Sequence, residues 1–473
     1  MSKEVFTKFE PLEVEKKTGL ITKGALLESI EDGSIDTVIL AICDMQGRLM
    51  GKRLTAEYCF ENDLDHGTHF CNYLLGTDFE MNTPDGYESM NWEKGYGDWL
   101  ARPDWSTARV LPWADKTAII YCDVYDEGTG EPIPIAPRNL LKKQLEKAEA
   151  KGFELFMASE LEFYLFRESF EQLNKKGYEN VETAGHLNED YNLLQGTRNE
   201  PFYQKIRRNM AKAGIPIESS KGEAYMGQHE INMRYAEALS AADNHTMFKH
   251  GIKEMCIQDG LSMTFMAKPN HKWTGSSGHI HMSLWDKRAG QNVFYDPDGD
   301  TYHMSELMKQ FLAGVLKYTR DFSLFFAPYV NSYKRYAEES WAPVNIVWSH
   351  DNRSSGYRIV GDGKSLRIET RIPGADMNPY LAYTALVGAG LYGIEQKLEL
   401  GPECKGNAYK DEKIPRIPGS LYEAIQCWEN SDVVKKVLGE TAAAHYLYNA
   451  KLEQKQYDAV VTEWERSRYF EQC

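Results

Sequence analysis

The sequence lacks both a long apolar run and an excess of positive charge. No stretch of about eighteen apolar residues occurs, so we predict no membrane-spanning helix. The opening segment MSKEVFTKFEPLEVEKK mixes charged with apolar side chains, unlike a signal peptide. Lys and Arg number 54 against 70 Asp and Glu, a net charge of −16, whereas nucleic-acid binders need many basic side chains on one face. We therefore expect a cytoplasmic protein that binds small molecules and neither nucleic acid nor membrane.

The sequence also lacks paired cysteines. Its 8 cysteines are scattered, without a Cys-x-x-Cys pair and without the clustered His and Cys spacing of a zinc site. Because cytosolic thiols stay reduced, we interpret these cysteines as structural. The chain is nonetheless long, and its 473 residues, 42% hydrophobic, exceed what one hydrophobic core usually supports. Two domains are therefore predicted.

A change of pattern near Trp113 divides the chain. Before it, two strand-like segments separated by Gly47 predict a hairpin. After it, Pro137 and the apolar spacing that follows predict a helix ending near Gly152, and strands then mix with long helices. The pattern favours an α+β architecture with one domain at residues 21–112 and a second at residues 113–473.

Four segments combine an apolar face with a face of ionisable side chains. In FELFMASELEFYLF, Glu160 and Glu162 are two residues apart and so share one face of a strand. His279 and His281 share a face in the same way. Any one of these segments fits an ordinary solvated strand. Their recurrence predicts one shared cavity, to which the other contributors are Glu223, Glu230, Arg367, Glu369 and Arg371.

Such a cavity requires cations. Carboxylates that crowd together raise one another's pKa unless positive charge lies between them. Oxygen ligands with an occasional imidazole suit Mg²⁺ or Mn²⁺, and arginine forks bind phosphate and carboxylate oxygens in pairs. Metal ions and arginines around phosphates are typical of phosphoryl transfer. The sequence thus predicts a site for ATP and divalent cations.

Six motifs, in order, make the chain resemble the glutamine synthetase family. They are SELEF at Ser159–Phe163, GQHE at Gly227–Glu230, KPN followed by TGSSGHIHMSL, NSYKR at Asn331–Arg335, NRSSGYR at Asn352–Arg358, and RIETR followed by GADMNPYLA. The resemblance covers nearly the whole chain. It implies an N-terminal β-grasp domain and a catalytic domain whose antiparallel sheet lines the active site. It also implies a ligase that activates L-glutamate as a γ-glutamyl phosphate, in a homo-oligomeric ring, a dodecamer, with active sites between subunits.

The resemblance assigns roles residue by residue. One metal ion is assigned to Glu162, Glu223 and Glu230, and a second to Glu160, His279 and Glu369. Glutamate is assigned to Gly275, Arg335 and Arg371, and catalysis to Arg353, Arg335 and Glu223. The ATP phosphates are assigned to Arg353, Arg358, Lys364 and Arg367, and the nucleoside to Glu218, His281 and Ser283.

The sequence departs from ammonia-using members at two positions. Trp341 stands where they carry a Glu that takes a proton from ammonium, and Cys71 or a neighbour stands where they carry an Asp of the adjacent subunit. A lost charge-assisted hydrogen bond costs about 1.5 to 3 kcal/mol, but each methylene buried against the indole contributes about 0.8 kcal/mol. We therefore predict that Trp341 binds an organic amine, as in the γ-glutamylpolyamine and γ-glutamylalkylamide synthetases that the chain resembles.

Several alternatives stay open on the sequence. The amine is a polyamine if Glu338 and Glu339 bind its distal ammonium, and an alkylamine or arylamine if these two side chains are simply solvated. A second alternative is an ammonia-using glutamine synthetase with a relocated base. A third is a non-catalytic relative with a structural or regulatory role. Every sequence position predicted to bind a metal ion carries a Glu or a His, which argues against this alternative.

Overall fold

The computed structural model describes residues 19–62, 64–337 and 340–473. It shows an α+β chain with two sheets, which confirms the predicted fold class. The helices are α1 Lys23–Glu31, α2 Ala56–Glu61, α3 Pro137–Glu149, α4 Phe170–Lys175, α5 Leu193–Gly196, α6 Glu200–Lys212, α7 Ala238–Asp259, α8 Glu306–Tyr318, α9 Ser323–Phe326, α10 Val330–Tyr333, α11 Pro379–Glu395, α12 Leu421–Glu429, α13 Asp432–Leu438, α14 Glu440–Asp458 and α15 Glu463–Tyr469.

The strands fall into an N-terminal sheet and a larger second sheet. They are β1 Thr37–Cys43, β2 Leu49–Thr55, β3 Thr68–Cys71, β4 Asp98–Pro103, β5 Arg109–Val110, β6 Thr117–Tyr125, β7 Phe153–Phe166, β8 Ile217–Gly222, β9 Gln228–Met233, β10 Ala236–Glu237, β11 Ser262–Thr264, β12 Gly278–Asp286, β13 Gln291–Asn292, β14 Trp348–His350, β15 Tyr357–Val360 and β16 Arg367–Thr370.

The N-terminal sheet has the strand order β2-β1-β6-β4-β3, with β5 paired to β6. Strands β1 and β2 form the hairpin predicted around Gly47, whose φ of 81° lies in the left-handed region that glycine adopts without strain. Strand β6 pairs with β1 and runs parallel to it. The sheet therefore continues past residue 112 to Tyr125, because the partner of β1 lies beyond the change of sequence pattern. The division at residue 112 stays a prediction.

The second sheet has the strand order β14-β15-β16-β12-β7-β9-β8, with β10 and β11 on β7 and β13 on β12. All its pairs are antiparallel except β14 with β15. Alternation along β7 buries Leu161 and Phe163 completely on one face. The opposite face of the same strand carries Glu160 and Glu162. The sheet thus presents a polar face at its centre, supported by a hydrophobic core behind it.

Helix α11 lies buried against α8, and glycines set the distance between the two helices. A Cβ built on Gly314 of α8 would lie 2.3 Å from the carbonyl oxygen of Ala389 and 2.7 Å from the Cα of Gly393. Both contacts are to backbone, which cannot rotate away as a side chain can. The helices therefore approach as closely as they do because these positions lack a side chain.

Replacing Gly314 with alanine is expected to destabilise the protein. Overpacking a close backbone contact costs about 1 to 3 kcal/mol, so the thermal unfolding midpoint should fall. Gly24→Ala in α1 is the matched control, because the nearest atom to its added Cβ is 4.0 Å away. There the higher helix propensity of alanine should leave stability unchanged or raise it by up to about 1 kcal/mol. A Gly314→Ala variant as stable as the parent would contradict this account of the helix contact.

Two further observations bear on the composition. Across the described residues, no helix combines the length and the hydropathy that crossing a bilayer requires. The eight cysteines are all free. Burial raises the pKa of the Cys122 thiol, which keeps it protonated and agrees with a structural role for this thiol.

Candidate active site

Ionisable side chains gather at the centre of the second sheet, where β16, β12, β7 and β9 lie side by side. His279 of β12 is the register partner of Glu160 of β7. On the next strand pair, Glu162 of β7 lies opposite Glu230 of β9. On the other side of β12, β16 places Glu369 beside the histidines. Neighbouring strands thus bring together residues that are far apart in the sequence.

Three overlapping groups of side chains have their ligand atoms within 4.8 Å of one another. One group is the set predicted for the first metal ion: Glu162, Glu223 and Glu230. The residues predicted for the second ion are divided between the other two groups, which are Glu160, Glu230 and His279, and Glu160, His281 and Glu369. Glu160 is common to both, and His281 joins a carboxylate cluster although it was predicted to lie nearer the nucleoside.

His279 has the properties of a neutral metal ligand. Its Nδ1 lies 3.3 Å from Glu160 Oε2 and 3.8 Å from Glu369 Oε1. Its Nε2 is buried and has no hydrogen-bond partner among the described residues. Burial, and after it the Arg371 guanidinium, lowers the pKa of His279 below its ordinary value. The imidazole is therefore uncharged at neutral pH and keeps a nitrogen lone pair available.

Glu230 shows why positive charge is needed here. Burial, together with Glu160 and Glu162, raises the pKa of Glu230 to about 8. The Lys221 ammonium lies 3.4 Å from Glu230 Oε1 and also pairs with Glu223. A single ammonium leaves the Glu230 carboxyl largely protonated at neutral pH. Crowded carboxyl groups that lack positive charge, beside a neutral imidazole with an unpartnered nitrogen, are the donor set that a divalent cation prefers.

All members of the clusters except His281 line one cavity of about 460 Å³. Of the residues predicted to bind glutamate or phosphate, Gly275, Arg353, Arg358 and Arg371 line it, and Trp341 does as well. Arg353 is exposed and makes no hydrogen bond or ion pair with any described residue. Arg358 and Arg371, in contrast, both bond to Glu369, at 2.9 Å and 2.6 Å. The cavity therefore contains two arginines paired with a carboxylate and one, Arg353, without a partner among the described residues.

Arg335 is not among the residues that line this cavity. Its side chain is 1% exposed, and its guanidinium donates to Ile372 O at 2.7 Å and to Ser277 Oγ at 2.9 Å. Gly275 packs directly on it, since a Cβ at that position would lie 2.7 Å from Arg335 Cγ. The structure thus places Arg335 behind the cavity wall, and its predicted contact with glutamate stays a prediction.

A second pocket of about 390 Å³ adjoins the first and shares Glu160 and Asn232 with it. All the residues predicted for the nucleoside line this pocket, with two of those predicted for phosphate: Glu218, His281, Ser283, Lys364 and Arg367. Aromatic side chains form another wall, in which the Phe156 ring lies 5.3 Å from the ring of Trp285 and 5.9 Å from that of Tyr235. The sequence prediction missed this wall because strand periodicity does not distinguish a stacking surface from a core face.

His281 connects the two pockets through its hydrogen bonds. Arg367 Nε donates to His281 Nδ1 at 3.1 Å. The ring proton therefore resides on Nε2, which lies 2.9 Å from Glu160 Oε1 and donates to it. Hydrogen bonds from His279 and His281, despite the opposing effect of burial, lower the pKa of Glu160. Glu160 is thus held as a carboxylate at the junction of the two pockets.

Trp341 lines the cavity and is largely exposed. Its side chain is 64% exposed, and its φ of 62° is uncommon for a residue other than glycine. It also lines a neighbouring open depression of about 650 Å³. Glu338 and Glu339, predicted to bind a distal ammonium, lie outside the described residues. Cys71 lies in β3 and is not among the residues that line the cavity of its own chain.

Other cavity residues were not anticipated from the sequence. They include Lys221, Asp190, Tyr191, Asn232 and Ser277. Lys221 precedes Glu223 by two residues, a same-face spacing that could have indicated its position. Asp190 and Tyr191 come from a loop before α5 and follow no periodic pattern. Asp190 is exposed and adds a carboxylate to the lining of the cavity.

The chain is similar to known proteins over most of its length. A family profile described as glutamine synthetase, catalytic domain, matches residues 134–469. The chain is 46% identical to a γ-glutamylethanolamide synthetase of Streptomyces coelicolor, over 98% of both chains. It is 40% identical to a glutamate–isopropylamine ligase of a Pseudomonas species, over 93% of this chain and 96% of that one. A solved GmaS/ADP complex superposes with a TM-score of 0.82 at 29% identity, covering 94% of this chain and 99% of the other.

Proposed function

The chain belongs to the glutamine synthetase family, and from this premise we propose that it joins the γ-carboxylate of L-glutamate to a small alkylamine, using ATP. It is an ATP-dependent carbon–nitrogen ligase, as its relatives are. One observation carries the proposal: carboxylates, the His279 imidazole, arginines and Trp341 line a single cavity that adjoins a second, aromatic-walled pocket. The shared residues at the junction allow a nucleotide in one pocket to reach a substrate in the other.

We assign the second pocket to ATP. Its aromatic wall suits the flat adenine ring, which stacks on such side chains. Lys364 and Arg367 add positive charge for phosphate oxygens. Because the two pockets share Glu160 and Asn232, a nucleotide in this pocket would have its terminal phosphate near the cavity. The structural similarity to a GmaS complex with ADP supports this use of the pocket.

We assign the carboxylate clusters to divalent cations. Glu162, Glu223 and Glu230 would hold one, and Glu160, His279 and Glu369 the other. His281 would not be a ligand in this arrangement, because its Nδ1 accepts from Arg367 and its Nε2 donates to Glu160. When bound, Mg²⁺ or Mn²⁺ neutralises charge on phosphate and carboxylate oxygens. The unpartnered Nε2 of His279 and the raised pKa of Glu230 support this assignment.

The reaction then proceeds by two displacements. A γ-carboxylate oxygen of glutamate attacks the terminal phosphorus of ATP, an O–P bond forms, and ADP leaves. The amine nitrogen next attacks the γ-carbonyl carbon, and phosphate leaves as the C–N bond forms. Arg353, which has no partner among the described residues, is placed to bind the transferred phosphoryl group. Asp190 is placed on the cavity wall to take the proton that the amine releases.

The choice of an alkylamine depends on Trp341. An indole cannot accept a proton from ammonium, but it can cover the methyl and methylene groups of a larger amine. The two relatives reported above are named for ethanolamide and isopropylamine. Both amines are short, which agrees with a cavity of about 460 Å³ that must also hold the glutamate side chain. A glutamine synthetase that uses ammonia is the alternative.

An amine panel tests the proposal. Phosphate release is measured with glutamate and ATP in the presence of ammonium, ethanolamine, isopropylamine or putrescine, each over a range of concentrations. We expect kcat/KM to be highest for one of the two alkylamines. The amide product is identified by mass spectrometry, so that ATP hydrolysis alone is not counted. Equal or faster turnover with ammonium would reject the proposal and favour the alternative.

Trp341→Glu is expected to shift the preference toward ammonium. Loss of burial for the three carbons of isopropylamine removes about 2.4 kcal/mol, or about sixtyfold in kcat/KM, relative to ammonium. The new carboxylate would also bind ammonium, so the ratio of the two kcat/KM values should fall by at least that factor. Trp341→Phe keeps an aromatic wall without a carboxylate and should retain the preference for isopropylamine. An unchanged ratio in Trp341→Glu would show that the amine does not contact this side chain.

We also propose that the protein is a cytoplasmic homo-oligomeric ring whose active sites lie between subunits, a dodecamer by family resemblance. The departure at Cys71 concerns a position that, in relatives with ammonia sites, faces a neighbouring subunit. Light scattering coupled to size-exclusion chromatography measures the mass of the assembly. A monomer with full activity would reject the shared site.

A further inference from the structure

A lysine lies within the carboxylate group that we assign to the first divalent cation. Lys221 Nζ forms an ion pair with Glu223, and it lies 3.4 Å from Glu230 Oε1. These two carboxylates belong to the group of three that Glu162 completes, and the ligand atoms of that group lie within 4.8 Å of one another. The ammonium group therefore pairs with the same side chains that a cation would use.

The sheet itself sets the position of this lysine. Lys221 of β8 is the register partner of Glu230 of β9, and residues directly opposite each other on antiparallel strands have neighbouring side chains. Glu223 follows two residues after Lys221, the spacing that places side chains on one face. The Lys221 side chain is partly buried and lines the cavity. Strand pairing thus holds the lysine at the carboxylates.

Lys221 differs from the arginines that pair with a carboxylate of the same cavity. Arg358 and Arg371 both bond to Glu369, which is a single ligand of the other predicted cation site. Lys221 pairs with two ligands of one site. Among the described residues that line the cavity it is also the lone lysine. A lysine ammonium is a compact point charge on a flexible stem, whereas a guanidinium is a rigid fork. Lys221 is thus the cation best suited to leave its partners.

The ammonium group and a divalent cation compete for the same place. Like charges a few ångströms apart repel strongly in a partly buried site, so a cation bound by Glu223 and Glu230 would drive Lys221 away from them. The cavity offers a second location for the ammonium. The ring centre of Tyr191 lies 4.9 Å from Lys221 Nζ. Among the described carboxylates that line the cavity, Asp190 is the one that we do not assign to a cation.

We propose that Lys221 is an internal counter-ion of the first cation site, and that a divalent cation displaces its ammonium group in order to bind. The inference rests on the proposed function, because it takes the assignment of the carboxylates to divalent cations as its premise. Without a cation, the ammonium group neutralises part of the charge of Glu223 and Glu230 and stabilises the fold. The same ammonium group lowers the affinity of the site for the cation.

Titration of the metal-free full chain with Mn²⁺ tests the competition. Free Mn²⁺ is measured by its electron paramagnetic resonance signal, without ATP, glutamate or amine. Lys221→Met keeps a long side chain but removes the charge, so we expect one class of sites to bind Mn²⁺ at least about tenfold more tightly than in the parent. The number of bound ions should not change. Lys221→Arg keeps the charge and should not tighten the binding.

Two further variants locate the effect. Lys205 forms an ion pair with Asp259 at 2.6 Å and is not among the residues that line the cavity. Lys205→Met therefore removes the same charge elsewhere and should leave the Kd for Mn²⁺ unchanged. In a Glu223→Gln background, Lys221→Met should tighten binding less than it does in the parent, because one shared carboxylate is gone. An equal gain in that background would contradict competition at this site.

Thermal unfolding separates competition from a purely structural role of the lysine. Without a cation, Lys221→Met should unfold at a lower temperature than the parent, because two carboxylates lose their counter-ion. Added Mn²⁺ should then raise its midpoint by more than it raises that of the parent, since the variant binds the ion more tightly.

The outcomes of these experiments distinguish the inference from its premise. If the parent binds Mn²⁺ and Lys221→Met binds it no more tightly, the inference is overturned while the assignment of the clusters stands. An equal rise of the two midpoints would overturn it in the same way. If the parent binds no Mn²⁺, the assignment of the carboxylates to cations fails, and the inference fails with it.

Discussion

Glu160→Gln is expected to lower kcat/KM for the ligase reaction by roughly a thousandfold, which corresponds to about 4 kcal/mol of transition-state stabilisation. Glu160 belongs to two of the three carboxylate groups and lies at the junction of the two pockets. It also accepts the hydrogen bond that holds His281 in one tautomer. Glutamine keeps the size of the side chain but removes its charge. The decrease in kcat/KM therefore results from weaker cation binding and from poorer positioning of both substrates.

The control for this variant lies on the same strand. Glu154 is on the same face of β7 as Glu160, six residues earlier, and lines neither pocket. Glu154→Gln should keep kcat/KM within about twofold of the parent, as surface substitutions usually do. Both variants should unfold at nearly the parental temperature. A Glu160→Gln enzyme with more than a tenth of parental activity at saturating Mg²⁺ would contradict a central role for this carboxylate.

Removal of divalent cations is expected to abolish activity. Without them, burial and the neighbouring carboxylates raise the pKa of Glu230 to about 8, so this group holds a proton at neutral pH. Its folded-state pKa lies above the ordinary value near 4.5, so its contribution to stability is present at acidic pH and is lost as the pH rises through about 8. A cation removes this penalty by favouring the carboxylate. Dialysis against a chelator should therefore leave less than about 1% of the phosphate release, since charge neutralisation carries most of phosphoryl-transfer catalysis.

Restoration distinguishes cation binding from damage during dialysis. Mg²⁺ or Mn²⁺ should restore activity, whereas K⁺ at equal ionic strength should not. Binding also stabilises the folded state, by about 2.7 kcal/mol at a ligand concentration one hundred times the Kd, so the unfolding midpoint should rise with added Mn²⁺. In Glu160→Gln this rise should be smaller. Undiminished turnover in the chelated protein would remove the basis for assigning the clusters to metal ions.

The proposed amine preference depends on Trp341, which lies in a different kind of structure from the carboxylates of the sheet. Trp341 is exposed and has a positive φ, and it belongs to a loop instead of a strand. Such a residue can change without disturbing the sheet that carries the carboxylates. This explains how a family can keep one chemistry for glutamate and ATP while the acceptor changes. For the same reason, two relatives that are 46% and 40% identical to this chain are named for different amines.

The sequence by itself determined which residues share a face and which chemistry they offer. Alternation with a period of two placed Glu160 with Glu162 and His279 with His281 before any contact was known. The residue types then indicated cations and phosphate, and the order of the motifs indicated the family and, through that resemblance, a ligase. The helix after Pro137 and the hairpin at Gly47 followed from equally local signals.

Only the tertiary structure decided which of these faces meet. Strand order and register depend on pairings between residues far apart in the chain, and local pattern does not specify them. The pairing of β6 with β1, the sharing of Glu160 between two clusters and the placement of Arg335 behind the wall are all of this kind. The spacing of residues shows which face of a strand or helix they share, but which groups lie opposite that face is set by the packing of the whole chain.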